Sequence, residues 1–258
     1  TNRLMPGEAK TGWTVFRDGR WTVPDEFQET VGVLVRADGS LFQIHAAQFD
    51  HLYRNNGDGT FTDVREQAGI SGSHFGLSAI WWDYNGDGLP DVYVANDYFG
   101  EDQLFRNNGD GTFSNVVKAA LPHTPWFSMG SDTADINNDG RLDFMGADMS
   151  GTTHYKQKLA MGDMETNGWF LSYPEPRQYM RNTVYLNSGT DRFMEVAYLT
   201  GLADTTWTWS IKFADLDNDG RVDLFISNGM TRDWFNSDLR NQSAKLGGWY
   251  AAAGQRMW

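Results

Sequence analysis

Three stretches of this chain place oxygen donors, from side chains or from one main-chain carbonyl, at alternating positions. The first is Asp83, Asn85, Asp87, Leu89 and Asp91; the second is Asp135, Asn137, Asp139, Arg141 and Asp143; the third is Asp215, Asp217, Asp219, Arg221 and Asp223. Counted from its first Asp, each stretch has side-chain oxygens at positions 1, 3, 5 and 9, a main-chain carbonyl at 7, and glycine at 6 (Gly88, Gly140, Gly220). Alternate residues of a tight loop point inward and glycine permits the turn between them, so the pattern predicts a cage for a hard cation. Calcium suits such a cage, because magnesium prefers fewer protein ligands and more water, and no imidazole or thiolate stands in the loops to favour zinc or copper. The expectation is up to three Ca2+ ions, held by those side chains and by the carbonyls of Leu89, Arg141 and Arg221. Acidic turns without metal would crowd three or four carboxylates together, which is costly. Position 12, where an EF-hand needs an acidic residue, is Val94, Gly146 and Ile226, so these are compact β-sheet loops.

Other chemistry finds little support. With 21 Lys+Arg against 34 Asp+Glu, the 258-residue chain carries a formal charge of −13, which repels phosphate backbones and anionic headgroups and argues against nucleic-acid and membrane-surface roles. The absence of cysteine removes disulfides, thiolate nucleophiles and Cys-ligated metals. No run approaches the ~20 apolar residues of a membrane span. The opening residues Thr1 to Gly7 show neither an initiator Met nor a signal-peptide pattern, as in a trimmed chain. The histidines (His45, His51, His74, His123, His154) are scattered. There is no nucleophile elbow, phosphate loop or dinucleotide fingerprint, and no acid/base pair apart from the acidic loops. No catalytic residue is assigned, and the chain is expected not to be an enzyme.

The elements that must position the loops follow from a repeat. A hairpin-like element, Leu52 to Phe61, returns at Leu104 to Phe113 and more weakly at Val184 to Phe193. Asn55 to Asp83, Asn107 to Asp135 and Asn187 to Asp215 are each 28 positions apart. The return step is 24 from Asp83 to Asn107 but 52 from Asp135 to Asn187, which places an insertion at about 148–180. Each unit reads as four short strands: an inner strand (Leu77 to Trp82, Met129 to Ala134, Trp209 to Ala214), the acidic loop, a second strand, and a hairpin around Gly-Asp-Gly. Gly57-Asp58-Gly59 and Gly109-Asp110-Gly111 are read as turns, because the third copy loses their register. Four-stranded units at a period near 52, with Ser78, Gly130 and Ser210 where inner strands crowd an axis, predict an all-β fold of β-propeller-type blades. A partial or small propeller of about four blades is expected, with a short, partly helical insertion. The organisation would be divergent hairpins over 1–50, including Trp13 to Trp21 and Val33 to Ile44 as a degenerate blade; repeat blades over 51–234; and a C-terminal extension over 235–258. The last blade has no hairpin after it and the first hairpin has no acidic loop before it, so either those halves join or the chain is an arc completed from elsewhere.

The acidic loops, the Asn-Asn-Gly-Asp-Gly-Thr-Phe hairpins and the small-plus-Trp inner strands resemble FG-GAP/VCBS repeats, over about Leu52 to Trp234. More narrowly they resemble the repeat region of bacterial CRTAC-like proteins that often carry an ASPIC/UnbV module, through Trp207-Thr208-Trp209-Ser210, Phe213-Ala214-Asp215, Ser227 to Asp233, and Asp148-Met149 with Tyr155 to Leu159. The resemblance implies a secreted, cell-surface or periplasmic calcium-binding propeller that acts mainly as an interaction surface. The function expected is a non-catalytic accessory or protein-interaction subunit of an extracytoplasmic or membrane-associated assembly. A glycan-binding propeller, with Trp126, Trp207, Trp209, Trp169 and Tyr173 stacking on sugars, is the alternative, and a propeller polysaccharide lyase or hydrolase a more distant one. The insertion (His154 to Met164) and Trp234 to Trp258 are read as short helices that dock on a neighbour or pack over the propeller.

Overall fold

The structure is a computed structural model that describes residues 14–17, 20–27, 31–35, 41–45, 47–72, 74–98, 100–161, 176–229 and 245. Trp169, Tyr173, the centre of the insertion and nearly all of 230–258 lie outside the described residues. The chain divides into two compact units, Thr1–Arg65 with Ser71–Phe75, and Glu66–Ile70 with Gly76–Trp258.

Among the described residues the first unit contains three antiparallel hairpins, each a separate two-stranded sheet: β1 (Val15–Arg17) with β2 (Arg20–Thr22), β3 (Val31–Val35) with β4 (Leu41–His45), and β5 (Tyr53–Asn55) with β6 (Phe61–Asp63). The β5–β6 turn shows why Gly-Asp-Gly is a turn. Gly57 and Gly59 sit at φ of 83° and 90°, where a Cβ would clash with the backbone. Asn55 Oδ1 accepts the Gly57 N–H at 2.8 Å, and Asp58 Oδ1 accepts both the N–H and the hydroxyl of Thr60 at 2.9 and 2.6 Å. These side chains bind their own backbone, as Asx turns do.

In the second unit, three sheets of three or four strands follow one another among the described residues. The first is four-stranded and antiparallel, with β7 (Phe75–Trp82), β8 (Asp91–Asp97), β9 (Gln103–Asn107) and β10 (Phe113–Asn115) in spatial order. The one-turn helices α1 (Arg65–Ala68) and α2 (Val117–Ala120) lie before and after it in the chain, and a short strand β11 (His123–Pro125) follows. The second sheet begins with β12 (Ser131–Ala134) and β13 (Asp143–Gly146). After β13 come β14 (Met149–Ser150), α3 (His154–Met161) and β15 (Arg177–Tyr179), all within the expected insertion. The sheet is completed by β16 (Thr183–Asn187) and β17 (Phe193–Glu195), in the order β12-β13-β16-β17. After α4 (Ala197–Thr200), the strands β18 (Thr206–Ala214) and β19 (Asp223–Asn228) form a three-stranded sheet with β14. The insertion therefore contributes strands as well as a helix: β14 pairs with β18, and β15 pairs in parallel with β11. The fold is all-β and propeller-like.

The sheets pack face to face. Between the first and second, Trp82, Tyr93, Phe144, Tyr185 and Phe193 form a buried aromatic core, with Phe144 centred 4.8 Å from Tyr93 and 4.5 Å from Tyr185. Between the second and third, Met145, Ala147, Val184, Ala203 and Ile211 are buried together. Inner strands approach so closely that small residues are required. Ser78 and Ser131 hydroxyls meet at 3.0 Å, and a Cβ on Gly130 would stand 2.6 Å from the Trp209 carbonyl oxygen and 3.2 Å from Ser210 Cα. This is the physical reason for the small residues at the matching inner-strand positions.

Candidate metal centre

Each acidic loop joins an inner strand to the second strand of its sheet, β7 to β8, β12 to β13 and β18 to β19. In all three, the same N–H groups turn the side chains toward the loop interior. The first carboxylate accepts from positions 5 and 6: Asp83 from Asp87 and Gly88 at 3.1 and 2.8 Å, Asp135 from Asp139 and Gly140 at 3.0 and 2.8 Å, Asp215 from Asp219 and Gly220 at 3.0 and 2.9 Å. Position 3 accepts the N–H of position 5, through Asn85, Asn137 and Asp217 at 3.1 to 3.2 Å. Position 5 accepts the N–H of position 7, so Asp87, Asp139 and Asp219 hold Leu89, Arg141 and Arg221 at 2.9 Å each, beside the three carbonyls assigned as ligands. Position 9 closes the loop on position 2, with Asp91 to Tyr84, Asp143 to Ile136 and Asp223 to Leu216 at 3.1, 2.9 and 3.0 Å.

In the third loop, ligand atoms of Asp215, Asp217 and Asp223 all lie within 4.8 Å of one another. Asp219 stands outside that group. In the first two loops asparagine replaces the carboxylate at position 3, and the Asn85 and Asn137 amides donate to Asp87 and Asp139 at 2.9 and 3.0 Å. Arg141 places its guanidinium 2.7 Å from Asp139, so a metal ion in the second loop would share that carboxylate with an existing cation.

Two features of the loops were not evident in the sequence. Position 4 adopts the left-handed conformation in every copy, with φ of 75° at Gly86, 58° at Asn138 and 63° at Asn218. Glycine and asparagine are the residues that tolerate it, and their recurrence at position 4 was the available signal. The second feature is a long-range bond at position 9. Asp91 Oδ1 accepts the Asn107 N–H at 2.8 Å and Asp143 Oδ1 accepts the Asn187 N–H at 2.7 Å, tying each loop to the outer hairpin of its own sheet. Both carboxylates are fully buried, whereas Asp223, whose sheet has no such hairpin among the described residues, is exposed.

Burial pushes the Asp91 and Asp143 carboxyls up, their N–H bonds oppose it, and the charges of Asp87 and Asp83, or of Asp139 and Asp135, push the same way as burial. Carboxylates that raise one another, in a donor set made of oxygen alone, fit a divalent hard cation, which would relieve that repulsion.

Apart from the loops, the structure brings together ionisable groups that the sequence reading left unpaired. Tyr93 OH bonds to Asp102, which also accepts the Asn96 N–H at 2.8 Å, and all three residues are fully buried. His123 Nε2 lies 3.2 Å from Glu195 and 2.7 Å from Arg181, and Arg181 lies 2.9 Å from Glu195. Burial would raise the Glu195 carboxyl, yet His123, the Ala197 N–H and Arg181 hold it down at about 2. This His123–Glu195–Arg181 ion pair stands apart from the acidic loops. No spacing in the sequence joins His123 to Glu195, because the contact spans 72 residues.

A family profile for FG-GAP-like repeats matches residues 33–94, 83–145 and 170–226, together more than half of the chain. The chain belongs to the FG-GAP-like repeat family. The first two matches each run into or across an acidic loop and the third ends just past one, so the repeat recognised by the family contains the loop described above. Among relatives of this FG-GAP-like chain is cartilage acidic protein 1 of Homo sapiens, 33% identical over 101 residues, which is 36% of this chain and 14% of the human protein. The chain thus matches only a small part of that relative's length.

Proposed function

We propose that the chain is a non-catalytic, calcium-binding propeller module that serves as a protein-interaction or accessory subunit of an extracytoplasmic or membrane-associated assembly. The observation that carries this reading is the threefold recurrence of one loop in which N–H bonds already orient the position 1, 3, 5 and 9 oxygens. The ligands are the fifteen residues named at the outset, twelve through side-chain oxygens and Leu89, Arg141 and Arg221 through their carbonyls. Calcium neutralises the loop carboxylates and fixes the turn between the two inner strands of each blade, a structural role. The periplasm, cell surface or outside of the cell suits it, since extracellular calcium modules bind at about 0.1 to 1 mM. Membership in a repeat family and the absence, among the described residues, of a helix long and apolar enough to cross a membrane are compatible with this placement. The bacterial CRTAC-like group and the division into 1–50, 51–234 and 235–258 belong to the same proposal.

Calcium titration of chelator-treated protein, followed by calorimetry and thermal melting, is the test. With dissociation constants of ~0.1 to 1 mM, about 5 mM free calcium should add ~1 to 2 kcal/mol of stability per occupied loop. Asp215→Asn combined with Asp217→Asn should remove one binding event and leave the rest. Melting that is identical in calcium and chelator would sink the proposal.

The glycan reading retains one specific support: Trp209 is 42% exposed and stacks on Trp207, ring centroids 6.4 Å apart. Trp126, by contrast, is buried. Sugar-dependent tryptophan fluorescence that Trp209→Ala abolishes would favour glycan over protein partners.

A further inference from the structure

Asn187, the last residue of β16, stands where the first two acidic loops meet. It is buried, and each of its four polar groups is bonded. Its N–H donates to the Asp143 carboxylate at 2.7 Å, and its carbonyl accepts from Arg141 Nε at 3.3 Å. Its amide nitrogen donates to the Leu142 carbonyl at 3.3 Å, and its amide oxygen accepts the Gly189 N–H at 2.9 Å. One residue thus holds positions 7, 8 and 9 of the second loop. The same amide nitrogen also donates, at 2.8 Å, to the carbonyl of Tyr84, which is position 2 of the first loop. Tyr84 is itself buried, Asp91 at position 9 holds its N–H at 3.1 Å, and its ring is centred 5.8 Å from that of Phe193 in the second sheet.

Asn107, the counterpart of Asn187 in the first sheet, separates the local bonds from the long-range one. Its N–H donates to Asp91 at 2.8 Å, its amide nitrogen to the Pro90 carbonyl at 3.1 Å, and its amide oxygen accepts the Gly109 N–H at 3.0 Å. These match the bonds of Asn187 to Asp143, Leu142 and Gly189; of the two residues, Asn187 alone adds a bond to a second acidic loop. We propose that Asn187 couples the first two loops, so that calcium held in one raises the calcium affinity of the other. The inference rests on the calcium reading given above. Fixing Asp143 and the Arg141 carbonyl as ligands fixes the main chain of Asn187, and its amide then fixes the peptide between Tyr84 and Asn85, which carries the position 3 oxygen of the first loop. Part of the conformational freedom that the first loop must lose on binding is then already lost, and linkage makes the effect reciprocal. Asn187 is a positioning residue, since it is not itself a ligand.

Calorimetric calcium titration of the chelator-treated full chain tests this, with the third loop silenced throughout by Asp215→Asn and Asp217→Asn. Asp83→Asn with Asp87→Asn silences the first loop, and Asp135→Asn with Asp139→Asn the second; asparagine keeps an oxygen for the loop N–H groups. The two proteins with one loop left give the separate affinities, and the protein with both should bind two ions with an affinity product about fivefold or more above the product of those two. That ratio should fall about fivefold in Asn187→Ala and stay as it is in Asn107→Ala, which loses only the matching local bonds. Neither alanine substitution alters charge, so through-space effects between the loops cancel in the comparison. Hydrogen exchange supplies a second readout that needs no variant of Asn187: where only the second loop is intact, calcium should slow exchange of the Tyr84 N–H in the silenced first loop. An unchanged ratio in Asn187→Ala, an equal fall in both alanine variants, or Tyr84 exchange indifferent to calcium would overturn the coupling and leave calcium binding standing. Absence of calcium binding from every intact loop would instead overturn the calcium reading, and the coupling with it.

Discussion

Asp102 offers a test of how the core between the first two sheets is built. Its carboxyl is fully buried, and burial pushes it from 3.8 up to about 7, against the pull of the Asn96 N–H and the Tyr93 hydroxyl. The folded protein therefore holds a proton that the unfolded chain releases near 3.8. The stability this contributes is present in full below that value and is lost as pH rises through about 7. At about 1.36 kcal/mol per pH unit the gap amounts to ~4 kcal/mol, of which roughly 2.5 kcal/mol falls between about pH 5 and pH 8. Asp102→Asn keeps an oxygen for the Asn96 N–H and places an amide donor toward the Tyr93 oxygen, with no charge to bury. Urea unfolding in saturating calcium should show the variant more stable than the wild type at pH 8, with a pH dependence shallower by about 2.5 kcal/mol. Asp97, raised to about 6 by burial, contributes with the same sign in both proteins and cancels in the comparison, while Asp148, pushed up mainly by burial and in smaller part by the Asp102 charge, loses only that smaller part in the variant. Parallel pH profiles for the two proteins would refute the reasoning, because Asp102 would then be as ionised in the folded state as in the unfolded one.

Other substitutions probe the loops and the sheet contacts. Gly130→Ala should cost ~1 to 3 kcal/mol by thermal or chemical unfolding, because its Cβ would meet the Trp209 carbonyl oxygen and Ser210 Cα, both backbone atoms of the next sheet; an unchanged melting temperature would mean that the sheets do not approach this closely. Asn138→Ala should destabilise by ~1 kcal/mol more than Asn138→Gly, since both lose the 3.2 Å bond to the Gly220 carbonyl but only alanine is strained at φ 58°. Equal losses would show that the left-handed conformation at position 4 carries no cost.

What the sequence disclosed is what repeats. The 28-residue step from hairpin to loop identifies the acidic turns and their inner strands, because the turn chemistry of Asp, Asn and Gly is local and recurs in each copy. The pairing of β14 with β18 and of β11 with β15 arises from the insertion, which occurs once, and no period reports it. The Tyr93–Asp102 pair was illegible for a different reason: an aspartate before a strand looks the same whether it faces water or a buried phenol. Position 9 combines both cases, for the motif announces Asp91 and Asp143 as inward oxygens, while their bonds to Asn107 and Asn187 depend on where the outer hairpin folds back.

That last difference separates the three loops physically. In the first two, one oxygen of the position 9 carboxylate is fixed by the hairpin and the residue is buried, so less conformational freedom remains to be lost when an ion binds. The third has an aspartate where the others have asparagine, and thus one more formal charge to attract calcium, but Asp223 is exposed. Charge count favours the third loop and preorganisation favours the first two.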